Sequence, residues 1–126
     1  MSEVVRGVVV ANADLAAALV GAVRAIVGDD GGLVALSNAG CDRAALGARL
    51  EGALGAGPAL VFTDLAGGSC FAVAATVARG RPGMRVVSGV NLGMLLDFVS
   101  HRDEPLEAAA ARAATTGRDA VREAVR

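Results

Sequence analysis

A seven-residue segment, Thr63–Ser69 (TDLAGGS), carries the residue types best suited to chemistry, because it joins a carboxylate, two glycines and a hydroxyl directly after a short apolar run. Backbone N–H groups in a glycine-rich turn, followed by the positive end of a helix, can bind an oxyanion. We therefore expect a phosphate to dock at Gly67, Gly68 and Ser69. Such turns also connect strands to helices in proteins that bind nothing, so the motif alone leaves both interpretations open. It is neither a Walker A loop nor a GxGxxG motif, and nucleotide binding is not indicated.

Polar side chains also follow other apolar runs of the chain. Asn12 and Asp14 follow the first run, Asp64 follows the third, and Asn91 follows the fourth. The carboxyl ends of parallel strands meet at one edge of a sheet, where open α/β sheets bind their ligands. We expect these four side chains to line one cleft, although Asn12 also suits a turn, and Asp14 and Asn91 also suit helix N-caps.

The remaining reactive side chains, one histidine and two cysteines, give little indication of a catalytic role. His101, the single histidine, has no acid or thiol at triad spacing, so it is expected to be a surface or helix-end residue. Cys41 and Cys70 are expected to be small apolar fillers, although the predicted helix start at Cys70 could lower a thiol pKa. No metal spacing and no cofactor motif is present, so neither a metal nor a cofactor is expected.

Composition limits the kind of partner. The 126 residues suffice for one domain, residues 1–126, whose hydrophobic core can form without disulfide or metal cross-links. A formal net charge of −1 gives no drive toward nucleic acid or anionic lipid. The apolar runs are too short to span a bilayer, and Met1–Glu3 lacks the basic start of a secretory signal. A soluble, cytoplasmic protein is therefore expected.

Apolar runs and helical periodicities alternate along the chain, which predicts an α/β fold with a doubly wound, mainly parallel four-stranded sheet. The predicted strands are Val4–Ala11, Leu33–Leu36, Ala59–Thr63 and Met84–Ser88. The predicted helices between and after them are Asp14–Val27, Asp42 to about Ala53, Ser69 to about Arg79 and Asn91–Val99. A long alanine-rich helix is predicted for Pro105–Arg126, with its proline in the first turn.

Three segments in order resemble the mannose-family enzyme IIA of bacterial sugar phosphotransferase systems. They are GVVVANADLAAAL from Gly7, LVFTDLAGGSCFAVA from Leu60 and VVSGVNLGMLLDF from Val86. The resemblance implies that a histidine after the first strand takes phosphate from the carrier HPr and passes it to a IIB partner. It also implies that Asp64 matches the aspartate that orients that histidine, and Ser69 the serine that assists at the phosphate.

Where the resemblance places the histidine, this chain reads Ala11, Asn12, Ala13. An amide nitrogen has delocalised its lone pair into the carbonyl and cannot attack phosphorus as imidazole does. Asn12 can still donate a hydrogen bond to Asp64, as the imidazole N–H would. The scaffold is therefore expected to persist without the nucleophile.

These observations support three hypotheses. The leading one is a IIA-like regulatory or binding module that engages phosphotransferase partners without being phosphorylated. The second is a working phosphoryl carrier that uses Asp14 or His101 as acceptor. The third is a structural assembly module, since the resemblance implies a homodimer that exchanges an edge strand, here supplied by residues 101–105.

Overall fold

Strands and helices alternate along the described part of the chain, and each of its nine elements overlaps a predicted one. The computed structural model describes residues 4–125; Met1–Glu3, which bear on the expectation of no secretory signal, and Arg126 lie outside them. The strands are β1 (Arg6–Ala11), β2 (Leu33–Ser37), β3 (Ala59–Thr63) and β4 (Met84–Ser88). The helices are α1 (Leu15–Val27), α2 (Arg43–Leu54), α3 (Ser69–Arg79), α4 (Leu92–Val99) and α5 (Leu106–Asp119).

The four strands form one parallel sheet in the order β2-β1-β3-β4. The predicted α/β class and parallel sheet are therefore confirmed. In the register, Val10 of β1 lies between Leu36 of β2 and Thr63 of β3. The chain moves outward from β1 to β2 on one side and from β3 to β4 on the other. The order thus reverses between β1 and β3, where open α/β sheets form their ligand crevice.

Successive side chains along each strand point to opposite faces of the sheet and form two separate hydrophobic cores, one on each face. On one face, Val9 and Phe62 pack with α1, α4 and α5, and the Phe62 and Phe98 rings meet edge to face with centroids 5.1 Å apart. On the other face, Val8 and Val61 pack with α2 and α3. Burial on both faces explains why the central strands are continuously apolar.

Helix α5 is shorter than the sequence predicts, because it ends at Asp119 and residues 120–125 form no helix. Ala109, Ala113 and Gly117 are buried, whereas beyond the helix Val121 is 79% exposed. Helical propensity alone does not hold a segment whose side chains find nothing to pack against. None of the helices within residues 4–125 combines the length and apolarity that crossing a bilayer requires.

The segment at residues 101–105 forms a turn, so it adds no edge strand to the sheet of its own chain. Arg102 holds the turn: its backbone O accepts from Val5 N at 2.8 Å, and its guanidinium donates to Val5 O and Gly31 O at 2.9 Å each. These bonds tie the turn to the amino end of β1. The backbone groups that would pair in a strand are therefore engaged locally.

Candidate functional site

Asn12 and Asp64 meet at the carboxyl ends of β1 and β3, where the strand order reverses. The Asn12 backbone N and side-chain Nδ2 both donate to Asp64 Oδ2, at 3.0 and 2.7 Å. The other carboxylate oxygen, Oδ1, accepts from Leu65 N at 3.0 Å. The hydrogen bond expected between the Asn12 amide and Asp64 is therefore present, and it joins the β1–α1 loop to the β3–α3 loop.

These hydrogen bonds set the protonation state of Asp64. Partial burial acts to raise the pKa of this carboxyl, but the bonds from Asn12 and the Leu65 backbone outweigh it, and the pKa lies below its ordinary value. Donors that bond to the charged form stabilise that form. Asp64 is thus a fixed anion at neutral pH, and its oxygens are already occupied by donors of this chain.

Asn38, which sequence reasoning missed, completes the cluster from the β2–α2 loop. Its Nδ2 donates to Asn12 Oδ1 at 2.7 Å, and its Oδ1 accepts from Ala13 N at 3.3 Å. Both ends of the Asn12 amide are therefore hydrogen-bonded, one to Asp64 and one to Asn38. The signal was available, because Asn38 follows the second strand as Asn12 follows the first.

Further hydrogen bonds hold the β1–α1 and β2–α2 loops together. Ser37 Oγ donates to Ala13 O at 2.7 Å and accepts from Ala39 N at 3.0 Å, while Arg49 Nη1 donates to Ser37 O at 3.1 Å. Ala13 has a φ of 52°, in the left-handed region that residues with a Cβ rarely adopt. The surrounding bonds fix this unfavourable conformation next to Asn12.

Ser69, the first residue of α3, borders a cleft of about 310 Å³ beside this cluster. The cleft is also lined by Asn38, Cys41, Asp42, Arg43 and Leu46. No side chain caps the first turn of α3, whose N-cap is Gly68. The predicted glycine turn is thus in place, with Gly67 exposed. Arg43, missed at the sequence level, adds a positive charge at the first position of α2.

Asp14 and Asn91 play different parts at this edge of the sheet. Asp14 occupies the N-cap position of α1, but its side chain accepts no capping hydrogen bond, which corrects the capping interpretation. Its φ of −96° and ψ of 10° depart from the extended backbone of a capping residue. Asn91 caps α4 as predicted, accepting from Met94 N at 3.0 Å. Its Nδ2 donates to Gly117 O at 3.0 Å, so the side chain is turned toward α5.

His101 lies away from this site, whereas Cys41 and Cys70 lie beside it. His101 follows α4 at the amino end of the sheet, and its ring Nδ1 lies 2.8 Å from Asp97 O. Cys70 is buried, and burial together with the charge of Asp64 raises the pKa of its thiol, so the helix start does not activate it. Cys41 donates its S–H to Asn38 O at 3.3 Å and adjoins the cleft.

The arrangement can hold charge and hydrogen bonds but offers no strong nucleophile. The group at the crevice is a carboxamide whose nitrogen lone pair is delocalised. Within residues 4–125, no three His, Cys, Asp or Glu side chains are placed to hold a metal ion. The cleft beside Ser69 can receive an anion through a helix N-terminus and the Arg43 guanidinium.

Comparison with known proteins gives a consistent result. The EIIA-man family model, described as the PTS system fructose IIA component, matches residues 7–116. The mannose/sorbose specific IIA subunit of the phosphotransferase system from Enterococcus faecalis is similar in structure, with 26% identity, coverage of 98% of this chain and 97% of that chain, and a TM-score of 0.88.

Two further solved structures share the fold at lower identity. Phosphotransferase system component EIIA from Streptococcus agalactiae has 22% identity, coverage of 94% of this chain and 96% of that one, and a TM-score of 0.88. A sigma-54 interaction domain protein from Enterococcus faecalis has 12% identity, coverage of 95% of each chain and a TM-score of 0.76. No curated protein matches the chain.

Proposed function

Because the chain belongs to the EIIA-man family of phosphotransferase system (PTS) IIA components, we propose that it binds PTS protein partners without carrying a phosphoryl group itself. Its role is then regulatory: it binds a partner and does not pass a phosphoryl group to it. Membership of the family indicates the class of partner. The residues of the crevice explain why no phosphoryl transfer is expected.

The hydrogen bond of 2.7 Å between Asn12 Nδ2 and Asp64 Oδ2 carries this proposal. It occupies the place where the resemblance puts an imidazole N–H bonded to the same aspartate. A carboxamide reproduces that bond and keeps the two loops together, but it has no available lone pair for attack on phosphorus. The sole histidine, His101, lies at the other end of the sheet.

Recognition of a protein partner is supported by the rim of the crevice. Leu15, the first residue of α1, is 42% exposed, and Leu65, beside Asp64, is 51% exposed. Apolar side chains exposed at the edge of a polar site are available for contact with a protein partner. The proposed partners are HPr or a IIB component, or a regulatory target, and the proposed location is the cytoplasm.

Phosphoryl relay in solution tests the absence of transfer. The protein is incubated with phosphoenolpyruvate, enzyme I and HPr, with an active IIA protein as positive control, and its intact mass is measured. We expect no added phosphoryl group. A stoichiometric phosphorylated form would refute the proposal, and its stability would identify the acceptor, because acyl phosphates and phosphohistidine are destroyed at different pH. Asp14→Asn and His101→Gln variants would then separate the two alternative acceptors.

Binding is tested separately, by titrating the labelled protein with unphosphorylated and phosphorylated HPr or IIB and following amide chemical shifts. We expect shifts confined to the loops around Asn12, Asp64 and Ser69. Asp64→Ala should weaken binding, whereas His101→Gln, at the opposite end of the sheet, should leave it unchanged. If both variants bind as the unmodified protein does, or if no partner binds at all, the crevice is vestigial and the assembly hypothesis is favoured.

A further inference from the structure

The two cysteines of the chain lie on the same face of the sheet and have no role in the proposed function. Cys70, the second residue of α3, is buried in the hydrophobic core that the sheet forms with α2 and α3. Cys41, in the β2–α2 loop, is half-buried and packs against the same core. Each follows the carboxyl end of a strand. The fold therefore brings two thiols from distant parts of the sequence to one edge of one core.

Two further observations place these thiols near each other. Cys41 and Ser69, the residue before Cys70, line the same cleft of about 310 Å³. The pKa of the Cys70 thiol is raised by burial and then by the charges of Asp64 and Cys41, while a hydrogen bond from Ser69 opposes the rise. Because the interaction between charges falls with distance, an effect of Cys41 on Cys70 indicates that the two sulfur atoms are neighbours.

The two thiols differ in their access to solvent. Cys41 borders the cleft, where a small molecule can reach it, and its S–H donates to Asn38 O at 3.3 Å. Cys70 is fully buried, and its raised pKa keeps the thiol protonated at neutral pH. An accessible thiol beside a second, protected one is the arrangement of an attacking and a resolving cysteine.

We propose that Cys41 and Cys70 form a thiol modification site, at which a low-molecular-weight disulfide is reduced and an internal disulfide bond forms. The Cys41 thiolate attacks one sulfur of the small disulfide, so that a mixed disulfide forms and the first small thiolate leaves. Cys70 then loses its proton, its sulfur attacks Cys41 Sγ, and the second small thiolate leaves. The two protons lost by the cysteines go to the departing thiolates. Two protein thiols are thus oxidised to one disulfide, and one small disulfide is reduced to two thiols.

Oxidation at this site acts on the hydrogen bonds of the crevice. The S–H of Cys41 is bonded to Asn38 O, and Asn38 Nδ2 donates to Asn12 Oδ1 at 2.7 Å. The internal disulfide removes the S–H donor and ties the β2–α2 loop to the start of α3, beside Ser69. The thiol state therefore sets the position of Asn38 and the width of the cleft. Disulfides of cytoplasmic proteins are usually transient, which agrees with a reversible modification.

Intact mass spectrometry of the full chain tests the reaction. The protein is incubated with oxidised glutathione, the reaction is stopped with acid, glutathione is removed, and remaining thiols are alkylated in denaturant. We expect a single-chain product about 2 Da lighter than the reduced protein, with no thiol left to alkylate. Cys70→Ala, which keeps a small apolar side chain at the buried position, should stop at one glutathionyl group on Cys41. Cys41→Ala should react at least about tenfold more slowly, because its remaining thiol is buried.

Amide chemical shifts test the link to the crevice. We expect the resonances of Asn12 and Ala13, in the β1–α1 loop, to shift on oxidation and to return with dithiothreitol. The proposal is overturned if the unmodified chain keeps free thiols or a glutathionyl group, if the disulfide joins two chains, or if the shifts stay within the β2–α2 loop and α3. Should Cys70→Ala fail to fold, peptide mapping of the oxidised unmodified chain identifies the linked cysteines. Neither measurement includes a PTS partner, so this site and the proposed function can fail separately.

Discussion

Replacing Asn12 with aspartate places two carboxylates where the structure has a donor and an acceptor 2.7 Å apart. The substitution changes one NH₂ to an oxygen with almost no change in volume. The new carboxylate still accepts the hydrogen bond from Asn38 Nδ2, so only the contact with Asp64 is altered. The variant therefore isolates the electrostatics of that one pair.

Two terms set the expected loss of stability. A hydrogen bond to a charged group contributes about 1.5–3 kcal/mol. Two like charges about 3 Å apart repel by about 1.4 kcal/mol in water and by more where solvent is partly excluded. Because Asp64 is half-buried and its surroundings are partly solvated, the lower part of each range applies. Asn12→Asp should therefore lower the free energy of unfolding by about 2–4 kcal/mol at pH 7. Asn12→Ala loses the donor to Asp64 and the acceptor for Asn38 but introduces no repulsion, and should lower it by about 1–2 kcal/mol.

The pH dependence distinguishes the two variants. In the unmodified protein the pKa of Asp64 is depressed, so its contribution to stability is present above the unfolded pKa and is lost as pH falls through the folded pKa. In Asn12→Asp the pair shares a proton, and its folded pKa is raised above the unfolded value. The contribution of the carboxyl pair at positions 12 and 64 to the stability of this variant is therefore full below about pH 4 and is lost as pH rises.

Urea unfolding from about pH 3 to 8 measures these differences, with Asn12→Ala as the reference. We expect the Asp variant to be less stable than the Ala variant at neutral pH and to approach or exceed it below about pH 4. If the two variants unfold alike at every pH, Asn12 and Asp64 are not in contact and the reasoning about the crevice fails.

Three further variants test the packing around the site, each by its midpoint of chemical unfolding. Ala13→Gly should stabilise by about 0.5–1 kcal/mol, since its φ of 52° suits glycine; an equal loss would contradict the strain. Gly117→Ala should change the free energy of unfolding by no more than about 1 kcal/mol, because the added Cβ displaces chiefly the flexible end of the Met94 side chain and alanine favours the helix, and Gly47→Ala should cost nothing. Asn38→Ala should cost about 1 kcal/mol, and no change would mean that it does not hold the loops.

The fold could be predicted from the sequence because its main signals are local. The buried run at Ala59–Thr63 is apolar throughout, as a strand covered on both faces must be, and glycine clusters mark the turns. The end of α5 could not be predicted in this way. Its composition favours helix up to the last residue, but the helix stops at Asp119, after which the chain has no surface to pack on.

The site could be predicted only in part, because its partners come from distant loops. Asp64 and Asn12 were placed together by the rule that parallel strands end at one edge. Asn38 obeys the same rule, but an asparagine that follows a strand also suits an ordinary turn, and the sequence does not distinguish the two roles. The capping role of Asp14 failed because capping depends on the backbone angles at that residue, which sequence does not give.

The most direct measurement compares the intact masses of the unmodified protein and its Asn12→His variant after the same incubation with phosphoenolpyruvate, enzyme I and HPr. A histidine at this position can donate its Nδ1–H to Asp64, as Asn12 Nδ2 does, and leave Nε2 free to attack phosphorus. We expect the variant to gain one phosphoryl group and the unmodified protein to gain none. Uptake of phosphate by the unmodified protein would contradict the central claim.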